Sequence, residues 1–296
     1  MVIRCIAALS LLLAGMALMT ASLRRGGGAE RLFSRMRSGR AAAFLCGMLG
    51  TAAMQSSSAS TVLIAGAYDA GLLPFSAMAA AIAGANVGTT ATGWLLCFGL
   101  RVGRWTAAVL AAAVACALAM KKPGAAGTAA GLLLIELGLG ALSGSTAAGA
   151  ARLLGSSMAG TFFRAAALTG VIQSSSAAIA FLQAASKAGA LPLGTALAAV
   201  LGSNVGTCTT ALLASVGGGR GAKRAALTHL GFNALASALG FSLYALFSPH
   251  LARTASPARV AALHTLVNVL PSVPVLLNFK FHVAHRRDLY YDEKAK

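Results

Sequence analysis

Gln55-Ser56-Ser57-Ser58 and Gln173-Ser174-Ser175-Ser176 are the same polar word written twice in apolar sequence, and each is followed by a second word, Gly-[Ala/Ser]-Asn-Val-Gly-Thr, at Gly84–Thr89 and Gly202–Thr207. Serine hydroxyls donate to an anion or coordinate a cation, and a glutamine amide supplies both a carbonyl oxygen and an NH2 group. Three consecutive serines continue a helix poorly, so Q-S-S-S is expected at the tip of a helical hairpin. The glycines around Asn86 and Asn204 permit backbone to leave helical geometry. On that reading each second word breaks a helix. Freed carbonyls with Thr, Ser and Gln oxygens suit a monovalent cation such as Na+, and the amide end of the second half-helix suits an anion. The competing reading is simple packing, because small residues at such spacing bring membrane helices together.

The two words recur as parts of one duplication. A shift of 118 residues superimposes 55–92 on 173–210 without a gap, with eighteen of thirty-eight positions identical, the scarce Gln, Asn and Pro among them. Two copies of one unit must therefore position these residues.

Composition says where those units sit. Of 296 residues 57% are hydrophobic and only 10% charged, and the mean hydropathy is +0.77. Stretches long enough to cross a hydrocarbon core recur along the chain, so an all-α polytopic membrane protein is expected. The first copy divides into a span at 3–23, a re-entrant hairpin at 41–68 with Q-S-S-S at its tip, a broken span at 75–100 and a span at 105–120. The second repeats this at 125–142, 158–186, 190–216 and 225–247, with one further span at 258–280. The resulting units are inverted repeat 1 (1–120), inverted repeat 2 (121–248), an additional span (249–280) and a cytoplasmic tail (281–296). The segment Val2–Leu23 also has features of a signal peptide, but its loose echo at Leu132–Ser145 favours a retained span.

A re-entrant hairpin returns to its own side, so each copy crosses three times and the second copy is upside down relative to the first. Charge agrees. Sixteen of the twenty-four Lys and Arg residues fall in 24–40, 121–124, 217–224 and the segment from 280 onward, whereas 143–157 carries only Arg152. This asymmetry predicts an N-terminus outside and a C-terminus in the cytoplasm. The net charge of +18 is thus a topology and lipid-headgroup signal, with no aromatic-rich basic face to bind nucleic acid. Five scattered cysteines give neither a disulfide framework nor a zinc spacing.

Of six acidic residues only Glu136 lies deep in a span. It reads equally as a coupling group or as a packed glutamate facing another helix. With so few carboxylates, a site of neutral oxygens favours Na+ with an anion over a divalent ion or a proton relay.

At these residues the chain resembles the type II sodium-phosphate cotransporter family and its bacterial members. The likeness extends to Leu13–Met19, Arg224–Asn233 and the pairs His229/Asn233 and His264/Asn268, each spaced four apart on one helix face and expected to bond between helices. The resemblance implies a sodium-coupled secondary transporter of inorganic phosphate, built from inverted repeats in the cell membrane and working by alternating access. It implies phosphate contacts at Ser56, Ser57, Ser58, Ser174, Ser175, Ser176, Asn86 and Asn204, and Na+ contacts at Gln55, Gln173, Thr89, Thr90, Thr207 and Thr209. Cys208 departs from the pattern, standing where the first copy has Thr90. Many bacterial relatives continue into a domain resembling the phosphate regulator PhoU, while this chain stops at Lys296, so a separate PhoU-like regulator, like a homodimer, stays open as a partner. A different oxyanion or a proton-coupled phosphate exporter is the alternative within transport, and a phosphate sensor is one outside it. A serine enzyme is disfavoured, because no G-x-S-x-G elbow and no acid–histidine relay accompany the serines.

Overall fold

The structure is a computed structural model that describes residues 35–120 except 55 and 103, residues 155–277 except 156, 188–190 and 252, and scattered positions within 10–18 and 126–137. Gln55, Glu136, the tail, and most of the spans expected at 3–23 and 125–142 lie outside the described residues.

Helices account for nearly all of the described chain. In the first copy they are α1 (Arg40–Met54), α2 (Ser57–Asp69), α3 (Phe75–Val102) and α4 (Arg104–Ala119). The second copy supplies α5 (Met158–Ile172), α6 (Ser175–Lys187), α7 (Leu193–Val216) and α8 (Arg220–Phe247). The chain then continues through α9 (Pro257–Val269) and the short α10 (Ser272–Leu276). Three helical stretches among the described residues, 193–216, 220–250 and 257–276, are long and apolar enough to span a bilayer.

Polar and apolar surfaces are distributed as a bilayer requires. Val171 is 82% exposed and Val216 76%, with Phe163, Leu213 and Leu246 similarly outward. Thr51, Thr61, Thr161, Ser203, His229 and Asn233 are each wholly buried. In water this exposed apolar surface would be costly, whereas lipid tails accept it and the polar groups are gathered inside.

The expected break at the second word does not occur. Both α3 and α7 run through Asn86 and Asn204 as uninterrupted helix, so the broken transmembrane helix is a misreading. The glycines serve close approach instead. A Cβ at Gly84 would overlap the backbone carbonyl of Phe44, and one at Gly88 that of Met48. In the second copy Gly202 meets the Phe162 carbonyl and Gly206 that of Ala166, positions that are each 118 residues on. Two G-x-x-x-G faces thus seat α3 on α1 and α7 on α5 with backbone nearly touching backbone.

Near the serine words one helix gives way to the next in both copies, α1 ending at Met54 with α2 beginning at Ser57, and α5 ending at Ile172 with α6 beginning at Ser175. The remaining packing exchanges the copies. Helix α8 lies against α7 but also against α2 and α3, while α9 lies against α6 and α7 but also against α3. Ala225 of α8 accordingly joins the first copy's apolar core around Met78 and Ile82. Val260 and Val267 of α9 join the second copy's core around Ile179 and Leu197.

One exposed carboxylate ties this exchange together. Asp69, at the end of α2, accepts from the backbone N–H groups of Gly219, Gly221 and Ala222 at 3.0, 2.8 and 3.3 Å, capping α8 from 150 residues away. The first-turn amides of a helix have no partners of their own, and a negative charge there is favoured by the helix dipole. The substitution Asp69→Ala is expected to destabilise the protein by about 1 kcal/mol, the usual cost of a lost cap. Thermal melts in detergent will show it as a lowered Tm, and Asp69→Asn, which keeps one acceptor oxygen, should restore part of the loss.

Candidate functional site

Local capping starts a helix at each serine word. Ser56 has extended backbone and its Oγ accepts from Ala59 N at 3.2 Å, so it starts α2. Ser174 repeats this with Ala177 N at 3.2 Å and starts α6. The next two serines of each word fall in the first turn of the helix and are buried. At the second word, Gln173 closes α5 in the left-handed region with φ 60°, the one residue other than glycine with positive φ among the described residues. Its Nε2 donates to the Gly170 carbonyl and its Oε1 accepts from Thr210.

Each serine word faces the helix of the other copy. Ser58 Oγ reaches the Thr207 carbonyl at 3.5 Å, and Ser176, its counterpart, donates to Thr92 Oγ1 at 3.3 Å. The two serine words and the two asparagine words, 118 residues apart in sequence, therefore converge on one interior region. Of the predicted site residues, Ser57, Ser58, Ser175, Ser176, Asn86, Asn204, Thr89, Thr90 and Thr207 are buried there. Thr209 is half-buried and packs beside Gly170.

The threonines have spent their protons. Thr89 Oγ1 donates to Ala85 O at 3.1 Å, Thr90 to Val87 O at 2.7 Å and Thr207 to Asn204 O at 2.7 Å. Their oxygens keep lone pairs, which suit a cation better than an anion. Cys208 donates weakly to Asn204 O at 3.6 Å and accepts from Asn233 Nδ2 at 3.2 Å, so the thiol is a packing and hydrogen-bonding group in the second copy.

The asparagines are each held by a helix from the end of the chain. His229 Nε2 on α8 lies 3.2 Å from Asn86 Oδ1, and Asn268 Oδ1 on α9 accepts from Asn204 Nδ2 at 3.2 Å. The interhelical role expected of the His-x-x-x-Asn pairs is thereby seen at His229 and Asn268. Several buried polar atoms in this region have no protein partner, among them Asn86 Nδ2, His229 Nδ1, Asn233 Oδ1 and both ring nitrogens of His264. A dry interior does not leave such groups idle without cost.

Sequence reading missed four threonines. Thr92 meets Ser176 and Thr210 meets Gln173. Thr51 donates to Ser60 at 2.7 Å, and Thr169 donates to Ser203 at 3.2 Å. Thr92 and Thr210 stand 118 residues apart, as do Thr51 and Thr169, so the duplication itself was the signal that would have found them.

The sequence profile described as Na+/Pi-cotransporter matches the chain twice, over residues 11–144 and 130–256. The chain belongs to the Na+/Pi-cotransporter family. A relative from Bacillus subtilis (strain 168), the uncharacterized protein YqeW, is 33% identical over 205 residues, which are 67% of this chain and 67% of that protein. No solved structure matches the chain. Membership of the Na+/Pi-cotransporter family makes sodium and phosphate the suggested ions and transport, not catalysis, the suggested activity. The matched segments cover both serine words and both asparagine helices, whereas His264 and Asn268 on α9 lie beyond them.

Proposed function

We propose that this protein carries inorganic phosphate across the cell membrane in symport with Na+, by alternating access of two inverted copies about the region where the serine tips meet. The observation that carries the reading is the crossed seating of Ser58 on α7 and Ser176 on α3. A site shared between copies changes its access when one copy rocks against the other. The hydroxyls of Ser57 and Ser175, with the first-turn amides of α2 and α6 that the caps leave over, form the anion's cradle, and those of Ser58 and Ser176 join it by exchanging their Thr207 and Thr92 contacts for the ion. The lone pairs of Thr89, Thr90 and Thr207, with the glutamine carbonyl oxygens, replace the hydration shell of Na+.

The re-entrant hairpins, the outside N-terminus and the cytoplasmic C-terminus follow in this reading from the odd number of crossings and from the basic loops. Supporting a two-fold relation between the copies, α8 and α9 bear the same relation to the two copies with the copies exchanged.

The deciding experiment is uptake of radiolabelled phosphate into proteoliposomes. Inward Na+ is expected to drive accumulation that choline does not support and that survives collapse of any pH gradient. Uptake indifferent to Na+ that follows a pH jump would replace this reading with a proton-coupled one. Competition by sulfate or arsenate would identify another oxyanion as cargo.

A further inference from the structure

Asn86 and Asn204 occupy matching positions of the repeat, yet the hydrogen bonds around them turn their amides in opposite senses. On α9, Asn268 Nδ2 donates to the His264 backbone carbonyl at 2.7 Å. A carbonyl only accepts, so this bond fixes the Asn268 amide with its Oδ1 toward α7. That oxygen takes the Nδ2–H of Asn204 at 3.2 Å, which leaves Asn204 its Oδ1 to offer. On α8 the Nε2 of His229 faces the Oδ1 of Asn86 at 3.2 Å, an arrangement that sets His229 as the Nε2–H tautomer with the ring nitrogen as donor. Asn86 therefore keeps its Nδ2, which is buried and without a partner.

The difference has a local cause. Asn233 stands four residues after His229 as Asn268 stands four after His264, but its Nδ2 is drawn to Cys208 Sγ at 3.2 Å. The first copy has Thr90 in place of that thiol. A single departure from the repeat thus accompanies a different set of partners at the two asparagines. The threonine hydroxyls do not discriminate, since those of both copies donate to their own helices.

An unspent NH2 is a donor and meets an anion's oxygen; an unspent amide carbonyl is a hard oxygen ligand and meets a cation. We propose that this polarity divides the cargo between the copies, with Asn86, oriented by His229, facing phosphate and Asn204, oriented by Asn268, facing a sodium ion. The assignment rests on the sodium-phosphate reading above and differs from the expectation that both asparagines contact phosphate.

The test is direct binding to the purified full-length chain in detergent, with 32P-phosphate at saturating Na+ and 22Na+ in the absence of phosphate. Asn86→Asp sets a carboxylate against the anion, and is expected to weaken phosphate binding by about tenfold or more while leaving Na+ binding unchanged. Asn204→Asp keeps an oxygen toward the cation and adds charge, and is expected to lower the Na+ half-saturation by about threefold or more with phosphate binding retained. Should either aspartate variant aggregate on size exclusion, Asn86→Ala and Asn204→Ala carry the same split, as loss of phosphate binding and loss of Na+ binding respectively. Equal loss of phosphate binding in both variants with Na+ unaffected, or the reverse pairing, overturns the assignment. A wild-type protein that binds neither ion would instead overturn the sodium-phosphate reading, so the two failures are distinguishable.

Discussion

Gly84→Val and Gly202→Val should each leave little or no monodisperse protein, whereas Gly66→Ala and Gly231→Ala should melt at or above the native temperature. All four glycines are helical, but they meet different surroundings. A Cβ at Gly84 or Gly202 would occupy the space of the Phe44 or Phe162 carbonyl oxygen, which is backbone and has no rotamer into which to retreat. The helices would have to separate along the whole G-x-x-x-G face, at a cost of about 3 kcal/mol or more, and would lose the packing that drives association in lipid. At Gly66 and Gly231 a Cβ meets nothing within 4 Å, and alanine there gains up to about 1 kcal/mol of helix propensity. Size-exclusion profiles and thermal melts in detergent read all four. A Gly84→Val protein as stable as the native one would mean that α1 and α3 do not approach as closely as described.

These glycines also mark where the sequence was ambiguous. Gly84-x-x-x-Gly88 reads either as a hinge or as a packing face, because the property that frees the backbone, a missing Cβ, is also the property that lets two helices touch. Only the partner helix decides, and Phe44 and Met48 lie some forty residues away in the chain. The serine word was less ambiguous. Three consecutive serines continue a helix poorly, and at both words a helix ends and another begins, with Ser56 and Ser174 as the caps. The His-x-x-x-Asn spacing showed that His229 and Asn233 share a face, but not which residue they meet. Asn86 lies 143 residues from His229, and no local pattern encodes a pairing of that range. The polarity difference between Asn86 and Asn204 was illegible for a further reason, since identical residues in identical words acquire opposite amide orientations only through their partners. Cys208 was noticed as a departure, yet its consequence passes through Asn233 on another helix.

Gln173 permits a separation of stability from transport that few residues of the proposed site allow. Its backbone sits at φ 60° and ψ 26°, a conformation that costs a residue with a Cβ roughly 1–2 kcal/mol and costs glycine almost nothing. Its amide meanwhile bridges the Gly170 carbonyl and Thr210, linking the end of α5 to α7 beside the serine word. Gln173→Gly therefore keeps the turn, relieves the backbone and deletes the amide. The expected result is a Tm equal to or above the native value with Na+-driven phosphate uptake reduced by about a hundredfold or more, equivalent to about 2.7 kcal/mol. Gln173→Ala retains the unfavourable backbone while losing the same amide, so it should fall in both Tm and uptake. Were the glutamine only a helix stop, the glycine variant would transport like the wild type, because a glycine stops a helix in this conformation better than any other residue. Loss of transport in a protein that has become no less stable would leave the amide as the functional group, since the change in backbone strain runs in the opposite direction.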